Sequence, residues 1–145
     1  MKQVHAVNLR MFIKPEDDYQ KDKQAFLDLI PFSLEDEKVS LDETEAEGFN
    51  ERKISVLSVD LGKQRHVKAF LKKLQDELSG AQKQQLVEQE NRLDDNCDFY
   101  LRFRKQDLPK LVLTDHGDCV HVRLSIASFP KKREIAREVV KEIFK

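Results

Sequence analysis

The chain reads as an α+β protein: a two-layer sandwich, mainly antiparallel sheet with helices on one face, in the order β-α-β-β-α-α-β-β-β-α. Three observations predict this. Residues 97–104 and 119–126 alternate apolar and polar side chains with period two, the mark of half-buried strands. Val67, Phe70, Leu71, Leu74 and Leu78 recur at i, i+3, i+4, i+7 and i+11, one apolar stripe along a helix. Helices with a single apolar stripe need a sheet with a single apolar face, and two layers satisfy both.

Taken in order, residues 4–14 (VHAVNLRMFIK) form the first strand. His5, Val7, Leu9, Met11 and Ile13 line its apolar side, and Val4, Ala6, Asn8, Arg10, Phe12 and Lys14 line the other. Pro15 opens a helix, its fixed φ suiting a first turn, and Glu16, Asp17 and Asp18 complement the helix dipole. Phe26, Leu27 and Ile30 supply its buried stripe, and Pro31 marks its exit. Residues 37–47 (EKVSLDETEAE) read as an acidic strand with Glu43, Glu45 and Glu47 on one face. Three carboxylates suit a hard cation, yet no calcium-loop spacing or further ligand run accompanies them. A charged edge strand that resists edge-to-edge pairing explains them better, so no metal is assigned.

Gly48 to Lys53 is a turn or loop before a strand at 54–61. Gly62 ends that strand and leads into the helix from about Lys63 to Leu78. Its start carries Lys63, Arg65 and His66, and cations in a first turn oppose the dipole. Such a start, preceded by glycine, can receive a phosphate, although the P-loop pattern is missing. The glutamine-rich stretch 81–95 is a weakly anchored helix held by Leu86, Val87 and Leu93.

Three strands follow. Cys97, Phe99, Leu101 and Phe103 point one way in the first, and Val120, Val122, Leu124 and Ile126 in the last. Between them, Leu111 to Asp115 enters a turn at His116-Gly117. A two-residue turn there pairs Asp115 with Asp118, Leu113 with Val120 and Leu111 with Val122, placing the aliphatic side chains on one face. Phe129-Pro130 then starts a last helix striped by Ile135, Ala136, Val139, Val140 and Ile143. Lys131, Lys132 and Arg133 crowd its first turn, the same electrostatic oddity as at Lys63 and Arg65.

At 145 residues one domain, 1–145, is expected. No run of eighteen apolar residues predicts a membrane span, and the N-terminus alternates where a signal sequence would be apolar throughout, so a cytoplasmic protein is expected. Cys97 and Cys119 lack CxxC spacing and read as reduced thiols. The net charge of −1 is divided unevenly: residues 1–51 hold 6 Lys/Arg and 13 Asp/Glu, and residues 52–145 hold 20 and 14.

The strand face opposite the apolar one carries Tyr100, Arg102, Arg104, His121 and Arg123. Binding RNA takes cations for phosphate and flat side chains for stacking, and this set holds both. Arg102, Arg104 and Arg123 would meet phosphate or stack, Tyr100 would stack and His121 would hydrogen-bond. Lys63, Arg65, Lys131, Lys132 and Arg133 would add phosphate contacts from helix starts. An exposed strand carries such residues for solvation alone equally often, so spacing by itself does not choose.

A family resemblance does. EAEGFNERKISVLSVDLGKQRHVKAFLKKL and DFYLRFRKQDLPKLVLTDHGDCVHVRLSIASFPKKRE, with VNLRMFIKPEDD near the start, resemble a family of small archaeal proteins. That family is described as predicted RNA-binding proteins or predicted exosome subunits. Its most specific parts here are Tyr100 to Gln106, Thr114 to Asp118 and the ASFPKKRE lead-in to the last helix. One departure is Phe49-Asn50-Glu51-Arg52-Lys53, where the family often has a histidine and a Gly-Asn-Pro run. The resemblance implies a fold like that of ribosomal protein L-five and a role in RNA processing or translation.

Catalysis is not expected. His5, His66, His116 and His121 are scattered, no nucleophile motif such as GxSxG is present, and Asp94, Asp95 and Asp98 fit a polar turn before a strand. No cofactor is assigned. The alternative to direct RNA binding is an adaptor subunit of an RNA-processing assembly, its acidic and basic segments pairing with protein subunits or in a homodimer.

Overall fold

A computed structural model describes residues 2–47 and 52–145; most of the predicted loop from Gly48 to Lys53 lies outside them. Among the described residues there are five strands in one antiparallel sheet and four α-helices, so the α+β class holds. The elements are β1 (Val4–Ile13), α1 (Tyr19–Asp28), β2 (Asp42–Glu47), β3 (Lys53–Leu61), α2 (Gln64–Glu77), α3 (Gly80–Glu88), β4 (Asp98–Arg104), β5 (Cys119–Ile126) and α4 (Arg133–Ile143). The sheet order is β2-β3-β1-β5-β4, which makes β2 and β4 its edges. No described helix is long and apolar enough to cross a membrane.

The order differs from the sequence reading by one strand. Residues 111–114 form only an isolated bridge, Leu113 opposite Phe103, and they pair with β4 instead of β5. The Arg104 amide donates to the Val112 carbonyl at 2.8 Å and the Thr114 amide to the Arg102 carbonyl at 3.0 Å. β4 has an open edge, and this segment covers part of it, which a hairpin onto β5 would leave bare. The His116-Gly117 turn survives in another form: Thr114 Oγ1 donates to the His116 carbonyl at 2.8 Å, and Gly117 takes φ +83°.

The chain divides into two compact units, Met1–Val7, Leu61–Leu101 and Val122–Lys145 in one, and Asn8–Asp60 with Arg102–His121 in the other. In the first, α2 buries His66, Val67, Phe70, Leu71 and Leu74, and α4 buries Ala136, Val140 and Ile143. Phe99 and Phe144 meet with ring centroids 5.8 Å apart. A capping box closes the start of α3, where Ser79 Oγ accepts from the Gln82 amide and Gln82 Oε1 accepts from the Ser79 amide. That reciprocal cap, the bond from Gln84 Nε2 to Glu88 Oε1 at 2.9 Å and the buried Leu86 and Leu93 hold this glutamine-rich helix. The Phe129-Pro130 peptide is cis.

In the second unit the buried residues include Leu9, Met11, Ile13, Phe26, Leu57, Val59, Phe103 and Val120. β1 reverses the expected phase at its beginning, since Val4 is buried and His5 exposed. The helix after Pro15 begins at Tyr19, because Asp17 closes a tight turn on Lys14 and Asp18 supplies the cap by accepting from the Lys21 amide. β2 is exposed at every position and pairs antiparallel with β3, Glu43 opposite Leu57 and Glu45 opposite Ser55, as an acidic edge strand. Its Glu43 is held by Tyr19 and Lys23 of α1, and both bonds keep its carboxyl below the usual carboxylate range.

Candidate functional site

Each predicted contact residue lies where local structure puts it. β4 alternates strictly: Phe99, Leu101 and Phe103 are buried while Tyr100, Arg102 and Arg104 are exposed. β5 buries Val120, Val122, Leu124 and Ile126 and exposes Arg123, but on that outer face Cys119 is buried and His121 and Ser125 are half-buried. Tyr100 and Arg123 belong to the first unit, and Arg102, Arg104 and His121 to the second.

In the second unit the exposed side of the strands holds more than the sequence reading assigned. Phe12, 41% exposed, meets His121 edge-on with ring centroids 5.8 Å apart. Burial pushes the His121 imidazole below its ordinary pKa, and the positive charges of Arg102 and Arg10 push the same way. At neutral pH the ring is therefore uncharged, a hydrogen-bonding and stacking group with cations beside it. Arg102 Nη1 donates to the Asp115 carbonyl at 3.2 Å, and among the described residues the Arg104 side chain makes a long surface pair with Asp107 at 3.4 Å. Surface pairs of that kind contribute little, so Arg104 stays available to an anion. Phe12 and Arg10 were missed as site residues, although period two along β1 had already placed them opposite the apolar stripe.

Cys119 Sγ lies 3.6 Å from His121 Nε2, a spacing that invites comparison with a nucleophile and its base. The electrostatics oppose that comparison. Burial pushes the Cys119 thiol up, Asp118 adds to the rise, and the pull of Arg102 does not reverse it. An activated cysteine needs the opposite shift and a histidine that readily takes a proton. Both cysteines are free and buried.

A cleft of about 490 Å³ in the same unit is lined by Asp17, Asp22, Arg104, Lys105 and His116, among others. Its wall carries paired charge: the Lys105 ammonium, with a side chain 8% exposed, bonds Asp17 at 3.0 Å, Asp22 at 2.8 Å and the Phe12 carbonyl at 2.9 Å. Nearby, Asp118 holds Lys14 at 2.6 Å and raises its pKa. The cleft's buried polar groups are thus mutually satisfied and mainly structural.

In the first unit Tyr100 is also 41% exposed, but its hydroxyl donates to Asp94 Oδ2 at 3.1 Å. Burial, that bond, and the charges of Asp94 and Asp98 all hold its pKa high. Asp94 organises the turn predicted from its acidic neighbours, since its Oδ1 accepts from the Asn96 and Asp98 amides at 2.9 Å each. At the start of α2, Lys63 and Arg65 are exposed and His66 is buried, so the histidine belongs to the packing.

Arg133 has a structural occupation. Its Nε donates to the Leu93 carbonyl at 3.1 Å and one terminal nitrogen to the Glu90 carbonyl at 2.7 Å, closing the turn after α3. This explains one cation at the start of α4, leaving Lys131 and Lys132 exposed beside it. Arg133→Ala should cost about 1–2 kcal/mol through these two charge-assisted bonds. The midpoint of thermal unfolding should fall by roughly 3–6 °C. An unchanged midpoint would refute the role.

Among the described residues no group of three or more His, Cys, Asp or Glu side chains is placed to hold a metal ion.

The chain is 30% identical over 143 residues to RNA-binding protein PAB1135 of Pyrococcus abyssi, covering 97% of this chain and 93% of that one. Its fold is similar to that of AF2318 from Archaeglobus fulgidus (TM-score 0.84, 27% identity, 97% of this chain and 99% of that one). It is also similar to Mth689, a DUF54 protein from Methanothermobacter thermautotrophicus (TM-score 0.81, 25% identity, 99% and 100%). A family model described as RNA binding matches residues 6–126, and the chain belongs to that RNA-binding family.

Proposed function

We infer that this chain binds RNA directly and performs no chemistry on it. One observation carries the reading: on β1, β4 and β5 the second unit exposes Phe12 beside the half-buried, uncharged His121 ring, with Arg10, Arg102 and Arg104 as exposed cations. Phosphates neutralise arginine, and unpaired bases stack on flat rings and guanidinium planes. Tyr100 and Arg123, with Lys63, Arg65, Lys131 and Lys132, supply further contacts from the first unit. Tyr100 is the weaker stacking group, because the carboxylates of Asp94 and Asp98 beside it repel phosphate.

The reading extends to a single-domain cytoplasmic protein of archaeal RNA processing, associated with the exosome, or of translation, with a fold like ribosomal protein L-five. The family resemblance supports that extension, and no geometry does. An adaptor role would leave the basic strand face to a protein subunit instead.

The test is fluorescence-anisotropy titration of a short unpaired RNA and a hairpin across a salt series. Saturable binding, with log affinity falling linearly in log salt by about 0.7–0.9 per phosphate engaged, is expected. Absence of binding at low salt would overturn the RNA reading in favour of the adaptor.

A further inference from the structure

Phe129 is 97% exposed, and among the described residues the other exposed large apolar side chains, Phe12 and Tyr100, are each 41% exposed. Scattered apolar residues on a surface need no special account, but this one is presented by a fixed loop. Ser128 Oγ donates to the Pro130 carbonyl at 2.8 Å and accepts from the Lys132 amide at 3.4 Å. The Lys132 amide also reaches the Pro130 carbonyl at 2.8 Å, and the Ala127 amide donates to the Gln3 carbonyl at 2.8 Å. The backbone on both sides of Phe129 is therefore tied down while its ring meets water. The apolar surface of that ring is left for a partner to bury.

The surroundings favour one kind of occupant. Lys131 and Lys132 follow in sequence, both are exposed, and among the described residues neither has an ion-pair partner. Beside the loop a cleft of about 300 Å³ is lined by His5, Asn96, Asp98, Ser125, Ser128 and Lys131. Its hydrogen-bonding groups suit the edge of a base and a ribose, with Asp98 an acceptor for amino or hydroxyl groups, and Lys131 suits a phosphate. An apolar protein partner would want apolar neighbours around the phenylalanine, and this loop offers ammonium groups.

We propose that Phe129 stacks on an unpaired base of bound RNA, with Lys131 and Lys132 on the adjoining phosphates and the neighbouring nucleotide in the His5–Asn96 cleft. This rests on the RNA reading above and gives its substrate class: RNA with accessible unpaired nucleotides. Phe129 lies beyond residues 6–126, so the family match does not speak for it.

The experiment uses the full chain with Phe129→Ala, an unpaired RNA carrying 2-aminopurine, and a perfect duplex of the same sequence. One base–aromatic stack is worth roughly a 5- to 100-fold change in affinity. The variant should lose about that much toward the unpaired RNA and none toward the duplex, and it should quench 2-aminopurine less. Its melting temperature should be unchanged, since the ring is exposed. A Lys131→Ala/Lys132→Ala variant should lower the salt slope by about 1.4, two phosphates' worth on a single strand. Equal loss toward both RNAs, or none toward either, would overturn the stacking role and leave RNA binding intact. Failure of the unaltered protein to bind either RNA would overturn the RNA reading and this inference with it.

Discussion

Replacing Lys105 with Met should destabilise the protein by about 3 kcal/mol, the low end for breaking a buried ion pair. The thermal midpoint should fall by roughly 10 °C. Methionine keeps most of the side-chain volume, so the loss falls on charge. Lys105 joins the carboxylates of Asp17 and Asp22 to the Phe12 carbonyl, and without it the two partly buried carboxylates lose the cation they share. The pH profile separates this from a packing defect. Burial raises the Asp17 pKa, but the Lys14 amide bond and Lys105 outweigh it, and the folded value lies below the usual carboxylate range. A depressed carboxyl contributes stability that is fully present above its unfolded pKa, about 4, and is lost as pH falls through the folded value. The gap between parent and variant should therefore be widest near neutrality and shrink as pH falls below about 4 and Asp17 takes up its proton. A gap independent of pH between 7 and 3 would show that Lys105 acts through packing alone.

The double substitution Arg102→Ala/Arg104→Ala should weaken RNA binding by about 10- to 100-fold at moderate salt, as expected for two charge-assisted contacts. The salt slope should fall by about 1.4 on unpaired RNA. Both side chains are exposed on β4, and each is flanked by buried residues that fix the strand, so unfolding stability should change by less than about 1 kcal/mol. Arg102 gives up one bond to the Asp115 carbonyl, and Arg104 a long pair with Asp107. Equal affinity of parent and variant, with an unaltered salt slope, would remove this face from the RNA reading.

Much of the candidate site's exposure could be read from the chain because strands display their residues by parity. Once Phe103 and Val120 are assigned to the core, Arg102, Arg104 and Arg123 must point outward, and they do. The same parity had set Phe12 and Arg10 outside, but nothing in the sequence said that β1 would lie beside β5 and bring Phe12 to His121. Nor did it say that Arg133 would be spent on the carbonyls of Leu93 and Glu90, forty residues away or more. The hairpin expected at His116-Gly117 satisfied every local rule of pairing. It lost to the open edge of β4, a competitor visible only when the sheet is assembled.

By itself, then, the sequence determined the α+β class, the periods of its strands and helices, the faces those periods expose, and the acidic edge strand. These follow from local sterics and the burial of apolar surface, which act over a few residues. Only the tertiary structure decided the strand order, the partner of residues 111–114, the buried Lys105 and its carboxylates, and which cations remain available to an anion. Those depend on groups far apart in sequence competing for the same hydrogen bonds, and that competition is settled by where the folded chain puts them.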